Sequence, residues 1–233
     1  MRVEIWSDVV CPWCYVGKRR FEQALAAFPH RDEVEVVWRA FELDATAPTE
    51  KVGDYAELLS AKYGFPVERG QEMVDSMTAT AAQDGLDLRF DRARTGNTFD
   101  AHRLLHLAGE RGVQDAVKER LLRAAFTDGE PVGDRETLVR LVAEAGLDAD
   151  EARTVLEQGT YADAVRAEEQ DAQRLGISGV PFFVVDRTYG VSGAQPAEVL
   201  REVLDRAWAQ SRPVQLVPAG GAAPGCDGDG CAV

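Results

Sequence analysis

Cys11-Pro12-Trp13-Cys14 constrains this chain more than any other stretch of it. Two cysteines stand two residues apart, just after a short apolar run and at the start of a segment with helical spacing. A thiolate, not a thiol, attacks a disulfide, and the unpaired N–H groups and dipole of a helix N-terminus favour the thiolate. The spacing lets the second thiol reach back and release a mixed disulfide. A fold that uses this motif must place it at a strand-to-helix junction with one sulfur open to a partner.

The 233 residues suffice for a sizeable core, either in one domain with an insertion or in two domains. Hydrophobic residues make up 45% and charged residues 28%, the balance of an ordinary globular protein. No apolar run approaches the roughly 18 residues of a transmembrane helix. Forty acids against 26 bases give a net charge of −14, which argues against nucleic acid and anionic membrane as partners. Met1-Arg2-Val3-Glu4-Ile5-Trp6 runs straight into a strand pattern without an export signal, so the expected location is cytoplasmic. Four cysteines fall in two close pairs, Cys11/Cys14 and Cys226/Cys231, and redox or metal chemistry suits such a chain better than a disulfide scaffold.

Val3 and Ile5 alternate with Glu4 and Trp6, which predicts a strand, and Ser7 to Val10 a loop. Pro12 suits the first turn of a helix, whose inner face carries Phe21, Leu25 and Phe28. Val34 to Phe41 reads as a second strand. From about residue 52 to 175 the spacing is helical, divided by Gly64-Phe65-Pro66, Gly85, Gly112, Gly129 to Gly133 and Gly146 into five or six helices. Asp134 and Asp148 look like helix starts. Phe182 to Val185 and Tyr189 to Ser192 predict a hairpin, and Pro196 opens a last helix.

The order is β-α-β, a helical block, then β-β-α. This predicts an α/β thioredoxin-like fold with a large all-helical insertion between its two halves. Residues 1–50 and 176–210 form the discontinuous thioredoxin-like domain, 51–175 the inserted helical subdomain, and 211–233 a flexible tail with a cysteine pair.

A C-x-x-C near a β-α-β unit is a thioredoxin-type signal, with half of a zinc site as the competing reading. The other half could only be Cys226 and Cys231, with 211 residues between Cys14 and Cys226. Pro181 supplies the second support. A proline directly before a central strand cannot donate a ladder bond, so the position calls for a special reason. In a thioredoxin-type fold this proline is cis and faces the dithiol, and Val180 shows its backbone N–H and C=O to an extended substrate.

With these residues in place the sequence resembles the DsbA-like oxidoreductases of the thioredoxin superfamily, and among them the FrnE-type branch. Ser7-Asp8 before the dithiol carries the resemblance, with Gly17-Lys18 after it, Asn97-Thr98 and Ala101-His102-Arg103 in the insert, Gly179-Val180-Pro181-Phe182, and Val191 to Gln195. It spans essentially residues 1 to 210. The resemblance implies thiol:disulfide oxidoreductase activity, with Cys11 as nucleophile, Cys14 as resolving thiol, and Pro181 as the cis-proline. Glutathione-dependent 2-hydroxychromene-2-carboxylate isomerases and kappa-class glutathione transferases look similar in the insert but use serine where this chain has Cys11. The departure favours dithiol redox chemistry and leaves glutathione available as a reductant; no resident cofactor and no metal are expected.

Pro12 and Trp13 set the character of the motif. Trp13 offers an indole N–H and a ring face where strongly oxidising relatives have histidine, so a milder couple and a less depressed Cys11 pKa are expected. Glu4 has two readings, a buried acid that takes the proton of Cys14 and an exposed strand residue. His102 and Arg103 are candidates for the substrate groove, and Asn97 for the N-cap of their helix.

The first functional choice is thus a thiol:disulfide oxidoreductase or isomerase acting on protein disulfides, protein thiols or small thiols. The alternatives are a glutathione-dependent isomerase or transferase of small aromatic substrates, and a non-enzymatic zinc-holding or chaperone-like protein. The oligomeric state stays open, a dimer included. From Arg212 to Cys226 is 14 residues, which extended span up to roughly 46–50 Å. The tail pair can therefore reach Cys11 and exchange disulfides with it. Replacing Cys226 and Cys231 by Ser is expected to slow turnover with a disulfide reductant; unchanged rates and no trapped mixed disulfide would remove the tail from the reaction.

Overall fold

Strand β1 (Arg2–Ser7) has helices on both of its faces, and every residue from Val3 to Ser7 is buried. In the computed structural model, which describes residues 1–51 and 53–211, it is one of the two inner strands of a four-stranded sheet. Val3 and Ile5 pack with Phe21, Phe28 and Leu200 on one face. Glu4 and Trp6 take the other face, where Trp6 packs with Ala172 and Val184. The alternation of β1 therefore separates two buried environments, one apolar and one ion-paired.

The sheet order is β2-β1-β3-β4. β2 (Glu35–Ala40) runs parallel to β1, with Ile5 opposite Trp38. β3 (Phe182–Val185) is antiparallel to β1, with Ile5 opposite Phe183, and β4 (Tyr189–Ser192) closes the hairpin. Asp186 and Arg187 turn that hairpin at φ 46° and 53°, the left-handed backbone that matches strand twist in tight hairpins. The Asp186 carboxylate helps to hold the turn by accepting the Arg2 N–H at 2.7 Å.

Helix α1 (Pro12–Ala26) begins directly at the dithiol, with Cys11 as its extended N-cap and Pro12 in its first turn. Its Phe21 and Ala24 side meets the sheet, joined by Phe28 just beyond its end, and α9 (Ala197–Ser211) packs beside it. Close approach requires glycine at position 17: a Cβ there would stand 2.7 Å from Pro181 Cγ.

Between β2 and β3 the described residues form seven α-helices: α2 (Tyr55–Tyr63), α3 (Val67–Gln83), α4 (Phe99–Glu110), α5 (Gln114–Arg123), α6 (Arg135–Glu144), α7 (Ala149–Gln158) and α8 (Ala162–Arg174). A π-helical turn, Ala124–Asp128, extends α5. The expected five or six fall short because Gly159, at φ 72°, ends α7 and separates it from α8. Asp134 and Asp148 cap α6 and α7 with their carboxylates, as expected from the sequence. Asn97 is not an N-cap. Thr98 holds that position, and the Asn97 side chain instead accepts the Phe99 N–H at 3.0 Å from one residue further out.

These helices share a hydrophobic core that also takes in Val9, Tyr15 and Val16. Charges reinforce the joint between α1 and α5. Tyr15 donates to Glu119 at 2.7 Å, Arg19 Nη1 to Glu119 at 2.9 Å, and Lys18 to Asp115 at 3.1 Å. The catalytic-motif helix is thus gripped by the sheet on one side and the helical layer on the other. Cys226 and Cys231 lie outside the described residues.

Gly17→Ala is expected to lower stability by about 1–3 kcal/mol through overpacking against Pro181. Urea denaturation checks this, and a change within about 0.5 kcal/mol, the usual range for surface substitutions, would show that the contact yields.

Candidate active site

The dithiol sits where β1 ends and α1 begins. Both cysteines are buried free thiols, Cys11 at 4% exposure and Cys14 at 0%. Cys11 lines a cavity of about 910 Å³ together with Pro12, Trp13 and Val180, whereas Cys14 is not among the lining residues. Access therefore distinguishes two sulfurs that the sequence spacing leaves equivalent. The Val180–Pro181 peptide is cis, and the Cys11 Sγ donates to the Val180 carbonyl at 3.7 Å. Trp13 stands at the rim, 41% exposed.

The opposite wall comes from the insert. Tyr55 and Leu58 of α2, Met73 and Met77 of α3, and Phe90 beyond them give the cavity an apolar side. Tyr55 stacks obliquely on Phe90 with centroids 4.7 Å apart. Burial pushes its phenol well above the ordinary tyrosine range, with the charge at Cys11 adding to the shift.

The neighbouring Cys14 sulfur pushes the Cys11 thiol up well above its ordinary value, and burial adds to this. Burial also opposes ionisation of Cys14. Cys11, the Lys118 ammonium and the Asp8 N–H nevertheless hold Cys14 below the ordinary thiol value.

A polar group beneath the dithiol completes the site. Asp8 follows β1 and borders the cavity. Burial disfavours its charge, yet His102, the Leu43 N–H at 2.8 Å and the Lys118 charge hold its carboxyl below the usual range. His102 Nε2 approaches Asp8 Oδ1 at 3.4 Å. Lys118, 0% exposed, donates to the Ser7 carbonyl at 3.2 Å. Among the described residues no three His, Cys, Asp or Glu side chains converge to hold a metal ion.

Several sequence expectations need correction. Asn97, His102 and Arg103 do not line the cavity. His102 stands behind Asp8. Arg103 is buried, and its guanidinium donates to the Val155, Leu156 and Thr160 carbonyls at the end of α7 and to Asp100. It ties α4 to α7, because the last carbonyls of a helix need outside donors. Asn97 shapes the approach to α4, with its N–H donating to the Pro48 carbonyl at 2.8 Å. Glu4 is neither exposed nor placed to serve Cys14. It lies on the sheet face away from α1, paired with Arg39 and Arg187, whose charges hold it below the usual range against burial.

Asp8 and Lys118 carry weight that the sequence reading did not give them. A signal for Lys118 was present: with Val117, Leu121 and Leu122 it falls on the inner stripe of α5, where lysine is out of place.

The DSBA-like thioredoxin domain family matches residues 2–205. The chain belongs to that family. It is similar to the "Uncharacterized protein YwbO" of Bacillus subtilis (strain 168), 28% identical over 206 residues, covering 88% of this chain and 96% of the relative. The probable DsbA oxidoreductase SCO1869 of Streptomyces coelicolor is 54% identical, with a TM-score of 0.86 over 100% of this chain and 99% of that one. The cytosolic disulfide reductase DsbM of Pseudomonas aeruginosa, in a structure with GSH, shares the fold at 19% identity, with a TM-score of 0.63 over 90% of this chain and 100% of its own. DSBA-like membership places the chain in the general class of thiol–disulfide oxidoreductases, with thiols or disulfides as substrates. Among the described residues no helix is long and apolar enough to cross a membrane.

Glu4→Gln is expected to cost about 2 kcal/mol near neutral pH, the low side of a broken buried pair because Arg187 is half exposed. The loss should be full above the unfolded glutamate value of about 4.3 and shrink as pH falls through the lower folded value. Dithiol turnover should persist. Denaturation at several pH values checks the first point, and a turnover collapse in a folded variant would return Glu4 to the reaction.

Proposed function

We propose that this chain is a FrnE-type thiol:disulfide oxidoreductase that works through Cys11 and Cys14. The observation that carries this reading is the asymmetry of the pair: Cys11 borders the cavity beside Val180, while Cys14 lies behind it. A substrate disulfide R–S–S–R′ enters along the apolar wall. Its backbone can pair with Val180 as an added strand would, where the substrate is a polypeptide.

Cys11 reacts as its thiolate, with its proton passing to Cys14. Its sulfur attacks R–S, forming Cys11–S–S–R and releasing R′–S⁻, which takes a proton. Cys14 then loses its proton and attacks the Cys11 sulfur. The Cys11–Cys14 bond forms, the bond to R breaks, and R–S⁻ leaves to be protonated. Two electrons pass from the dithiol to the substrate, and the reverse sequence oxidises a substrate dithiol. Both protein disulfides and small disulfides fit this chemistry. A thiol such as glutathione can return the pair to its reduced form without a resident cofactor, which suits a cytoplasmic setting.

Glutathione-dependent isomerisation is the second reading, and the aromatic and methionine-rich wall of the cavity is what favours it. Cys14→Ser is expected to leave substrate covalently attached to Cys11, identifiable by mass spectrometry. Cys11→Ser should bring insulin reduction to the uncatalysed rate. Full insulin reduction in Cys11→Ser would defeat the dithiol reading, and isomerase activity surviving that change would favour the second.

A further inference from the structure

Two lysines are buried within reach of the dithiol helix, and they are treated differently. Lys18 is closed by three carboxylates: Glu22, Asp115 at 3.1 Å and Glu119 at 3.3 Å. That is the usual solution for a buried ammonium, whose uncompensated charge is costly. Lys118 has no such closure. Its Nζ donates to the Ser7 carbonyl at 3.2 Å and stands 5.5 Å over the Trp38 ring. Among the described residues it forms no ion pair with a carboxylate within 4.0 Å. A cation carried into a core and left without a carboxylate needs another negative partner.

The sulfur of Cys14 supplies one. The Ser7 carbonyl that receives Lys118 belongs to the same peptide unit as the Asp8 N–H, and that N–H meets Cys14. An ammonium on the carbonyl side of a peptide polarises it and strengthens the donor on the other side. We propose that Lys118 is a positioning residue for the resolving step: from α5 of the helical insert it acts through the Ser7–Asp8 peptide to hold the Cys14 thiolate. The inference rests on the dithiol reading above and names the group that prepares its second step.

The step balances without further reagents. Cys14–SH yields its proton, and the thiolate stands against Lys118 and the polarised N–H. It attacks Cys11, and the departing R–S⁻ takes up a proton. Once the Cys11–Cys14 bond has formed, no thiolate remains, and Asp8 is the nearby anion left to Lys118. The groups that face Lys118 are Cys14, Asp8 and Cys11, which favour its charge, and Lys18, which opposes it; His102 acts on it through Asp8. Burial still pushes the ammonium down to about 8, so its charge is sensitive to the state of the sulfurs.

The test uses the full chain. Cys11→Ser isolates Cys14, and its thiolate absorbance is titrated with and without Lys118→Met. The midpoint is expected to rise by about one pH unit on loss of the cation. In the chain with both cysteines, a preformed mixed disulfide on Cys11 should resolve about 3-fold more slowly in Lys118→Met at neutral pH. Tenfold less thiolate is partly offset by its greater nucleophilicity. If Lys118→Met does not fold, wild-type protein decides: side-chain NMR of Lys118 should give a lower midpoint in the oxidised than in the reduced form. An unmoved Cys14 midpoint, or one Lys118 titration common to both redox forms, overturns the inference. The dithiol reading survives that result if Cys14→Ser still traps substrate, and falls separately if it does not.

Discussion

Burial of β1 on both faces is the constraint from which the site follows. A strand covered by α1 and α9 on one side and by α8 on the other ends in a place that water does not reach, and the dithiol is attached to that end. Charge there persists only in company. Glu4 has two guanidinium groups, Asp8 has His102 and a backbone N–H, and Cys14 has an ammonium and a backbone N–H nearby. The low-polarity surroundings make each of these pairings stronger than it would be in water. The dithiol is thus embedded in a small, nearly closed set of charges.

The architecture was legible in the sequence because its signals are local. Pro12 after Cys11, the β-branched run of β2 and the glycines that end helices all act over a few residues, and the structure follows them. Gly159 escaped notice because nothing around it reads as a loop: Thr160 and Tyr161 follow without proline or a second glycine. Its left-handed backbone, shared by Tyr161 at φ 65°, is what breaks the helix.

The surroundings of the dithiol were less legible, for a different physical reason. Which of Asp8, Lys118 or Glu4 stands near Cys14 depends on how the helical layer lies against the sheet, and periodicity does not encode that. Glu4 precedes the motif in sequence yet points to the opposite face of β1. Lys118 is 104 residues beyond Cys14 in the chain and close to it in electrostatic terms. His102 and Arg103 are adjacent, but one turns toward Asp8 and the other toward the end of α7. Neighbours on a helix differ by about 100° in direction, so adjacency in sequence does not imply a common role.

The hairpin of α2 and α3 packs principally against itself, with Ala56 and Gly70 in close apposition. It contributes much of the apolar wall of the cavity, while the sulfurs and their charges belong to β1, α1 and α5. The cavity wall and the charged neighbours of the dithiol are therefore built from separate parts of the chain, so residues along α2 and α3 can change without touching the groups around the sulfurs.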